Sequence, residues 1–230
     1  MPLLIAIVVG FICLVIFINE RSDDKAPTID QALCWRQPAH VLDRLPDQFI
    51  VVDLETTGLH SGNHRIIEIA AVRYTPATGA TETYQTLVTR KSPLPREIVS
   101  LTGITDLELK EHGIPESDAM IQLLAFIGDL PIVSYNIEFD MKFLGKAASR
   151  AKLTFDPKHA CALWTARNTI PGLSSYRLVS VAKELNIRSG QQHRALGDAM
   201  TALHVFLACV ERGGPQMWIQ TSIASSASTV

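Results

Sequence analysis

The run Phe49-Ile50-Val51-Val52-Asp53-Leu54-Glu55 constrains this chain most, because it joins a buried strand to a pair of acids. Its short apolar, β-branched composition reads as a strand buried on both faces. Successive strand side chains alternate, so Asp53 and Glu55 point the same way while Leu54 points into the core. Thr56-Thr57-Gly58 follows at once. The acids therefore stand at the strand's C-terminal end, where open α/β sheets place their sites. Two carboxylates held side by side repel each other unless a cation sits beside them. A solvated pair in a turn is the plain counter-reading of this motif alone.

The rest of the chain reads as one domain with extensions. It has 230 residues and a formal net charge of -2, which excludes a global basic field as the means of holding nucleic acid. The cysteines Cys13, Cys34, Cys161 and Cys209 are far apart and lack metal-ligand spacing, so neither a disulfide framework nor a zinc site is expected. Further strands are predicted over Ile66–Tyr74, Thr81–Val88 and Pro131–Tyr135. Helices are predicted over Glu116–Ile127, Phe139–Ala151, Lys158–Asn168, Leu178–Leu185 and Arg194–Val210. Strands first, then alternating helices and strands, imply an α/β fold: a mixed sheet flanked by helices.

The N-terminus gives a separate signal. Pro2 to Ile18 carries no charge and falls at the short end of the roughly 17–25 residues of a membrane helix. It lacks the basic start and small-residue cleavage site of a signal peptide. Residues 1–18 are thus expected to form one N-terminal transmembrane helix. Arg21 and Lys25 behind it argue for a single-pass anchor with the catalytic domain in the cytoplasm. Residues 19–46 read as a juxtamembrane linker with short helices near Ile29–Trp35 and Ala39–Leu45. The compact domain is set at 47–212, and the Ser-, Ala- and Thr-rich residues 213–230 read as a disordered tail.

Two more acids and a histidine extend the first pair. Asp140, in Asn136-Ile137-Glu138-Phe139-Asp140, opens a helix directly after a strand. A helix N-terminal acid favoured by the macrodipole is its simpler explanation. Asp198 lies in the last long helix, where Ala195, Ala199 and Ala202 let the backbone approach the sheet. His193 precedes it by five residues. Carboxylates gathered from distant parts of a chain suit hard divalent cations. Two such cations, roughly 3.5–4 Å apart, can clamp both oxygens of a phosphodiester displacement, with a histidine as base.

In order and spacing these pieces resemble the DEDDh 3′→5′ exonuclease family, which includes the proofreading subunit of bacterial replicative DNA polymerase. The resemblance spans about Phe49 to Arg212. It rests on Asp53-Leu54-Glu55-Thr56-Thr57-Gly58 with Ile66-Ile67-Glu68-Ile69-Ala70, on Leu101-Thr102-Gly103-Ile104-Thr105, on Asn136 to Asp140, and on His193 to Asp198-Ala199. It implies a ribonuclease H-like fold and release of nucleoside 5′-monophosphates from a 3′ end, DNA favoured. By that likeness Asp53, Glu55, Asp140 and Asp198 hold two Mg²⁺ or Mn²⁺ ions and His193 is the general base. Thr56, Thr57 and Gly58 approach the terminal nucleotide, Asn136 shapes its pocket, and Glu68 is structural. The expected partners are single-stranded or 3′-ended nucleic acid and, through the N-terminal helix, the membrane; a DNA polymerase or repair partner is left open. Two rivals stand beside this reading: an exoribonuclease or oligoribonuclease with the same chemistry, and a catalytically silent nucleic-acid-binding module. His60 and His64 fall in a glycine-containing loop, which argues against a helical zinc pair. Lys142, Lys146 and Arg150 form either a phosphate track or a solvated face.

Overall fold

The computed structural model describes residues 37–190 and 192–219. At its centre is a five-stranded sheet in the order β3-β2-β1-β4-β5. The strands are β1 (Phe49–Thr56), β2 (Ile66–Thr75), β3 (Ala80–Leu87), β4 (Ile132–Ser134) and β5 (His159–Cys161). β1 pairs antiparallel with β2 and parallel with β4. β2–β3 is antiparallel and β4–β5 parallel, so the sheet is mixed, as expected. Eight helices are described: α1 (Ala39–Leu42), α2 (Arg96–Thr102), α3 (Asp106–His112), α4 (Glu116–Ile127), α5 (Ile137–Ala151), α6 (Ala162–Thr169), α7 (Leu178–Glu184) and α8 (Ala195–Glu211).

The apolar run of β1 serves two cores, one on each face. Phe49 and Val51 face α6, α7 and α8, together with Val72 and Tyr74 of β2. Ile50, Val52 and Leu54 face α4 and α5, through Met120, Leu123, Phe143 and Leu144. Period-two alternation turns one strand into the floor of both layers. Ala195, Ala199 and Ala202 of α8 are fully buried, which lets that helix lie close on β1 and β2. A third cluster, Ile67 with Leu94, Ile104 and Leu109, seats α2 and α3 against β2. Those two seven-residue helices escape the periodicity reading because each is too short to show a stripe. Thr105 caps α3 by accepting the Glu108 N–H at 3.1 Å.

One predicted helix is corrected. Lys158–Asn168 divides into β5 and α6, since His159, Ala160 and Cys161 pair with Ile132, Val133 and Ser134. Three residues on a sheet edge leave no alternation to read.

The transmembrane part of the expected fold class is also corrected. Among the described residues no helix is long and apolar enough to cross a membrane. The longest, α8, spends its apolar face on the sheet and carries Asp198 and Glu211. The run Pro2–Ile18 lies outside the described residues. The single-pass anchor, the membrane as a partner and the membrane-anchored localisation are therefore withdrawn. The expected helix near Ile29–Trp35 lies outside the described residues too. Residues 37–45 pack on the α8 side of the sheet, with Val41 and Leu45 in its core. Arg44 donates to the carbonyls of Val210 and Gly214, both at 2.6 Å. Trp218 meets Phe49 and Phe206 edge-on at 6.3 and 6.2 Å.

Phe49 is fully buried and also contacts Tyr74 at 5.4 Å between ring centroids. Truncating a buried aromatic leaves a cavity that costs about 3–5 kcal/mol. Phe49→Ala should lower unfolding free energy by that amount in urea titration. A loss below about 1 kcal/mol would contradict a well-packed junction there.

Candidate active site

The acids meet at the C-terminal end of β1. Asp53 and Glu55 continue the row of Phe49 and Val51, so they face α8 beyond the apolar floor. A register shift between Glu55 and Thr56 ends the regular pairing with β2. β4 runs parallel to β1, so the helix after it, α5, starts at the same edge and brings Asp140 there in its first turn. Asp140 is only 4% exposed, and its carboxylate accepts the Ser134 hydroxyl of β4. Asp198 sits in the first turn of α8. Its Oδ2 accepts the backbone N–H of His193 at 3.0 Å. His193 itself is exposed and has φ +57°, in the left-handed region. One ligand atom each from Glu55, His193 and Asp198 lies within 4.8 Å of the others.

Burial and mutual repulsion govern the charge state. Burial raises Asp53 well above the ordinary carboxylate range, and Asp140, Asp198, Glu55 and Glu68 push it further. Glu55 is pushed up to about 8, by burial first and then by Glu68 and Asp198, with Arg194 pulling the other way. Burial lifts Asp140 to about 7, against the Ser134 hydrogen bond that favours its charged form. Burial also raises Asp198, and the His193 N–H and ring oppose it. The four carboxylates offer only oxygen and are rich in like charge, with the His193 ring nitrogen beside Glu55 and Asp198. That fits hard divalent cations, which supply the missing positive charge. Asp53, Glu55, Asp140 and Asp198 are the residues able to hold them.

The loop after β1 forms one wall. Thr56 Oγ1 donates to the Gly58 carbonyl at 2.8 Å. Thr57 Oγ1 accepts the Arg65 N–H at 3.1 Å and lies 3.3 Å from His64 Nδ1. Gly58 has φ +152°, and a Cβ there would fall 2.5 Å from the His64 ring, so a side chain would strain the backbone and displace that ring. Beyond it opens a cleft of about 410 Å³, lined by Leu59, His60, Asn136, Phe139, Lys142 and Phe143 among others. Asn136 is exposed at the head of α5 and makes no side-chain cap bond. His60 and His64 stand 6.5 Å apart between ring centroids, in a loop. On α5, Lys142 pairs with Glu138 at 3.5 Å and Arg150 with Glu116 at 2.6 Å, so the basic row is partly spent within the protein.

Sequence reasoning missed two supports. Ser134 gave no signal inside a short apolar run. Arg194, beside His193, is the partner that fully buried Glu68 requires: its Nη2 lies 2.9 Å from Glu68 Oε1. A charged residue in the middle of Ile66-Ile67-Glu68-Ile69 was the available clue, since a buried charge needs a partner.

A mixed sheet of this order, with acids gathered at the carboxyl ends of its central strands, is that of a ribonuclease H-like nuclease. The chain belongs to the exonuclease (RNase T) family, whose pattern residues 50–206 match. It is 34% identical to DNA polymerase III subunit epsilon of Aquifex aeolicus, over 78% of this chain and 86% of that protein. It is also 34% identical to the PolC-type DNA polymerase III of Thermotoga maritima, over 71% of this chain. There it spans only 12% of the relative's length. Among solved structures, the nuclease domain of 3′hExo, a DEDDh family member bound to rAMP, superposes with a TM-score of 0.65. That match has 19% identity and covers 75% of this chain and 96% of that one. E. coli exonuclease I in complex with a dT13 oligonucleotide gives 0.62 at 20% identity, covering 70% and 40%. At such identities the structures speak to the fold alone. Exonucleases of this family use divalent metal ions.

The raised carboxyls carry a stability consequence. A folded-state pKa above the unfolded value stabilises at low pH, and that contribution is lost as pH rises through the folded value. For Glu55 the window runs from the ordinary 4.5 to about 8, and for Asp140 from 3.8 to about 7. With chelator present, the melting temperature should therefore fall as pH rises across this range. Glu55→Gln should flatten the slope. Equal slopes in the two proteins would show that Glu55 is not held protonated.

Proposed function

We propose that this protein is a two-metal 3′→5′ exonuclease that releases nucleoside 5′-monophosphates from DNA. The observation that carries this reading is the convergence, at one end of β1, of four carboxylates that burial raises above their ordinary range, with repulsion from neighbouring acids adding to Asp53, Glu55 and Asp198. The exposed His193 stands beside them. The DNA preference follows the polymerase III epsilon subunit, since that likeness runs along 86% of the relative. A polymerase or repair assembly is the partner class that the same relative's name supports. The catalytic unit is residues 47–212, with 37–46 and 213–219 packed on it through Val41, Leu45, Arg44 and Trp218.

In this reading Asp53, Glu55, Asp140 and Asp198 hold Mg²⁺ or Mn²⁺. Bound there, the two cations would polarise the scissile phosphodiester and acidify the attacking water. Ser134 fixes the Asp140 carboxylate, so its oxygens do not reorient during turnover. His193 accepts the water's proton on an imidazole nitrogen, and its exposure lets that proton pass to solvent. Thr56, Thr57 and the Gly58 backbone border the terminal nucleotide, while Asn136 and Phe139 line the cleft that receives its base.

The test is digestion of 5′- and 3′-labelled single strands of DNA and RNA with either cation. Mononucleotides should leave from the 3′ end of DNA, and chelation should stop the reaction. Asp53→Asn should abolish cleavage and raise the metal-free melting temperature, because one of several clustered charges is gone. His193→Ala should keep calorimetric Mn²⁺ binding and lose about 10²–10⁴-fold in rate. Release from the 5′ end, or full rate without His193, would overturn the mechanism. Faster digestion of RNA would move the substrate to the exoribonuclease class.

A further inference from the structure

Glu68 and Arg194 form a buried clamp beside the candidate active site. Glu68 is fully buried in β2 and stands directly opposite Glu55 across the β1–β2 pair. Two carboxylates placed so repel, and a buried one without donors is costly. Glu68 receives four donors. Gln85 Nε2 reaches it at 2.8 Å, Arg194 Nη2 at 2.9 Å, Arg194 Nε at 3.2 Å and the Ala195 N–H at 2.9 Å. Ala195 is the first residue of α8, so this acid also satisfies an otherwise free amide at that helix's N-terminus. Arg194 Nη2 reaches Glu108 of α3 as well, at 3.5 Å.

The clamp fixes the residue just before it. His193 occupies a left-handed backbone conformation, which a side chain with a Cβ holds only when its neighbours dictate it. Arg194 is tied to β2 on one side of His193. On the other side, the His193 N–H is tied to the Asp198 carboxylate. Among the described residues no hydrogen bond orients the imidazole, so its placement beside Glu55 and Asp198 depends on its backbone.

We propose that Arg194, gripped by Glu68, is a positioning residue for His193. It rests on the exonuclease reading above and adds a role outside the five residues of the catalytic set. A small misplacement of a reacting group costs on the order of 10²-fold in rate. Lysine keeps the charge at 194 but lacks the planar fork that meets Glu68 through two nitrogens.

The experiment compares full-length wild type, Arg194→Gln, Arg194→Lys, His193→Ala and the Arg194→Gln/His193→Ala double variant. Readouts are kcat and KM on a 3′-labelled oligonucleotide and calorimetric Mn²⁺ affinity. Arg194→Gln should lower kcat about 10–100-fold, with KM within about threefold and Mn²⁺ binding no weaker than in wild type. In the His193→Ala background the same change should cost less than about threefold more, because the residue it positions is gone. A wild-type kcat in Arg194→Gln, a full additive loss in the double variant, or a loss that tracks weakened Mn²⁺ binding would each overturn the proposal. Should Arg194→Gln fail to fold, Arg194→Lys decides: a kcat about tenfold down with Mn²⁺ affinity unchanged supports it, and wild-type kcat overturns it. A wild-type protein without nuclease activity sinks the functional reading. An active one indifferent to Arg194 sinks only the positioning role.

Discussion

Like charge held at the rim of a dry sheet is the constraint on which the rest of this structure depends. Asp53, Glu55, Asp140 and Asp198 would not share that space in a protein built only for stability, because burial raises all four and the neighbouring acids raise Asp53 and Glu55 further. Everything beneath them is buried and packed. β1 is packed on both faces, and α8 approaches through alanines. Glu68 and Ser134 hold helix and acid in place from below. The fold stores repulsion at one edge and holds it there with two hydrophobic cores.

The same arrangement explains why the site is assembled from distant segments. Neighbouring positions along one strand supply only two acids on one face. The third must come from the next parallel strand's helix, and the fourth from a helix crossing the sheet. Because β1 and β4 run parallel, their C-terminal ends coincide, and α5 begins where β1 stops. α8 covers the opposite face and meets the row that Phe49, Val51, Asp53 and Glu55 form. The alternation that separates the two cores thus also decides which acids meet which helix.

Much of this was legible in the residues. The strand ending in Asp53 and Glu55 was readable from its apolar, β-branched run, and the helix Glu116–Ile127 from a period long enough to repeat. Asp140 was placed correctly at a helix head after a strand, by the order of apolar run and acid alone. What was not legible had one of two causes. β5, α2 and α3 are too short to show a period, and tertiary contact rather than local pattern defines them. Ser134 and Arg194 act through partners that lie far off in sequence or look ordinary in it. For Glu68 the need for a partner was readable, but not the partner 126 residues away. The apolar N-terminal run gave a clear local pattern, yet no helix among the described residues has a membrane-spanning character.

The Arg44 clasp and the Trp218 contact sit at the Phe49 end of β1, whereas the acids sit toward the other end. The described residues therefore begin and end, at Gln37 and Ile219, at the floor of the sheet. The eight residues of β1, at about 3.3 Å each, put that floor roughly 25 Å from the catalytic rim. Gln37 and Ile219 thus stand a strand's length behind the acids, and the rim is left clear of both.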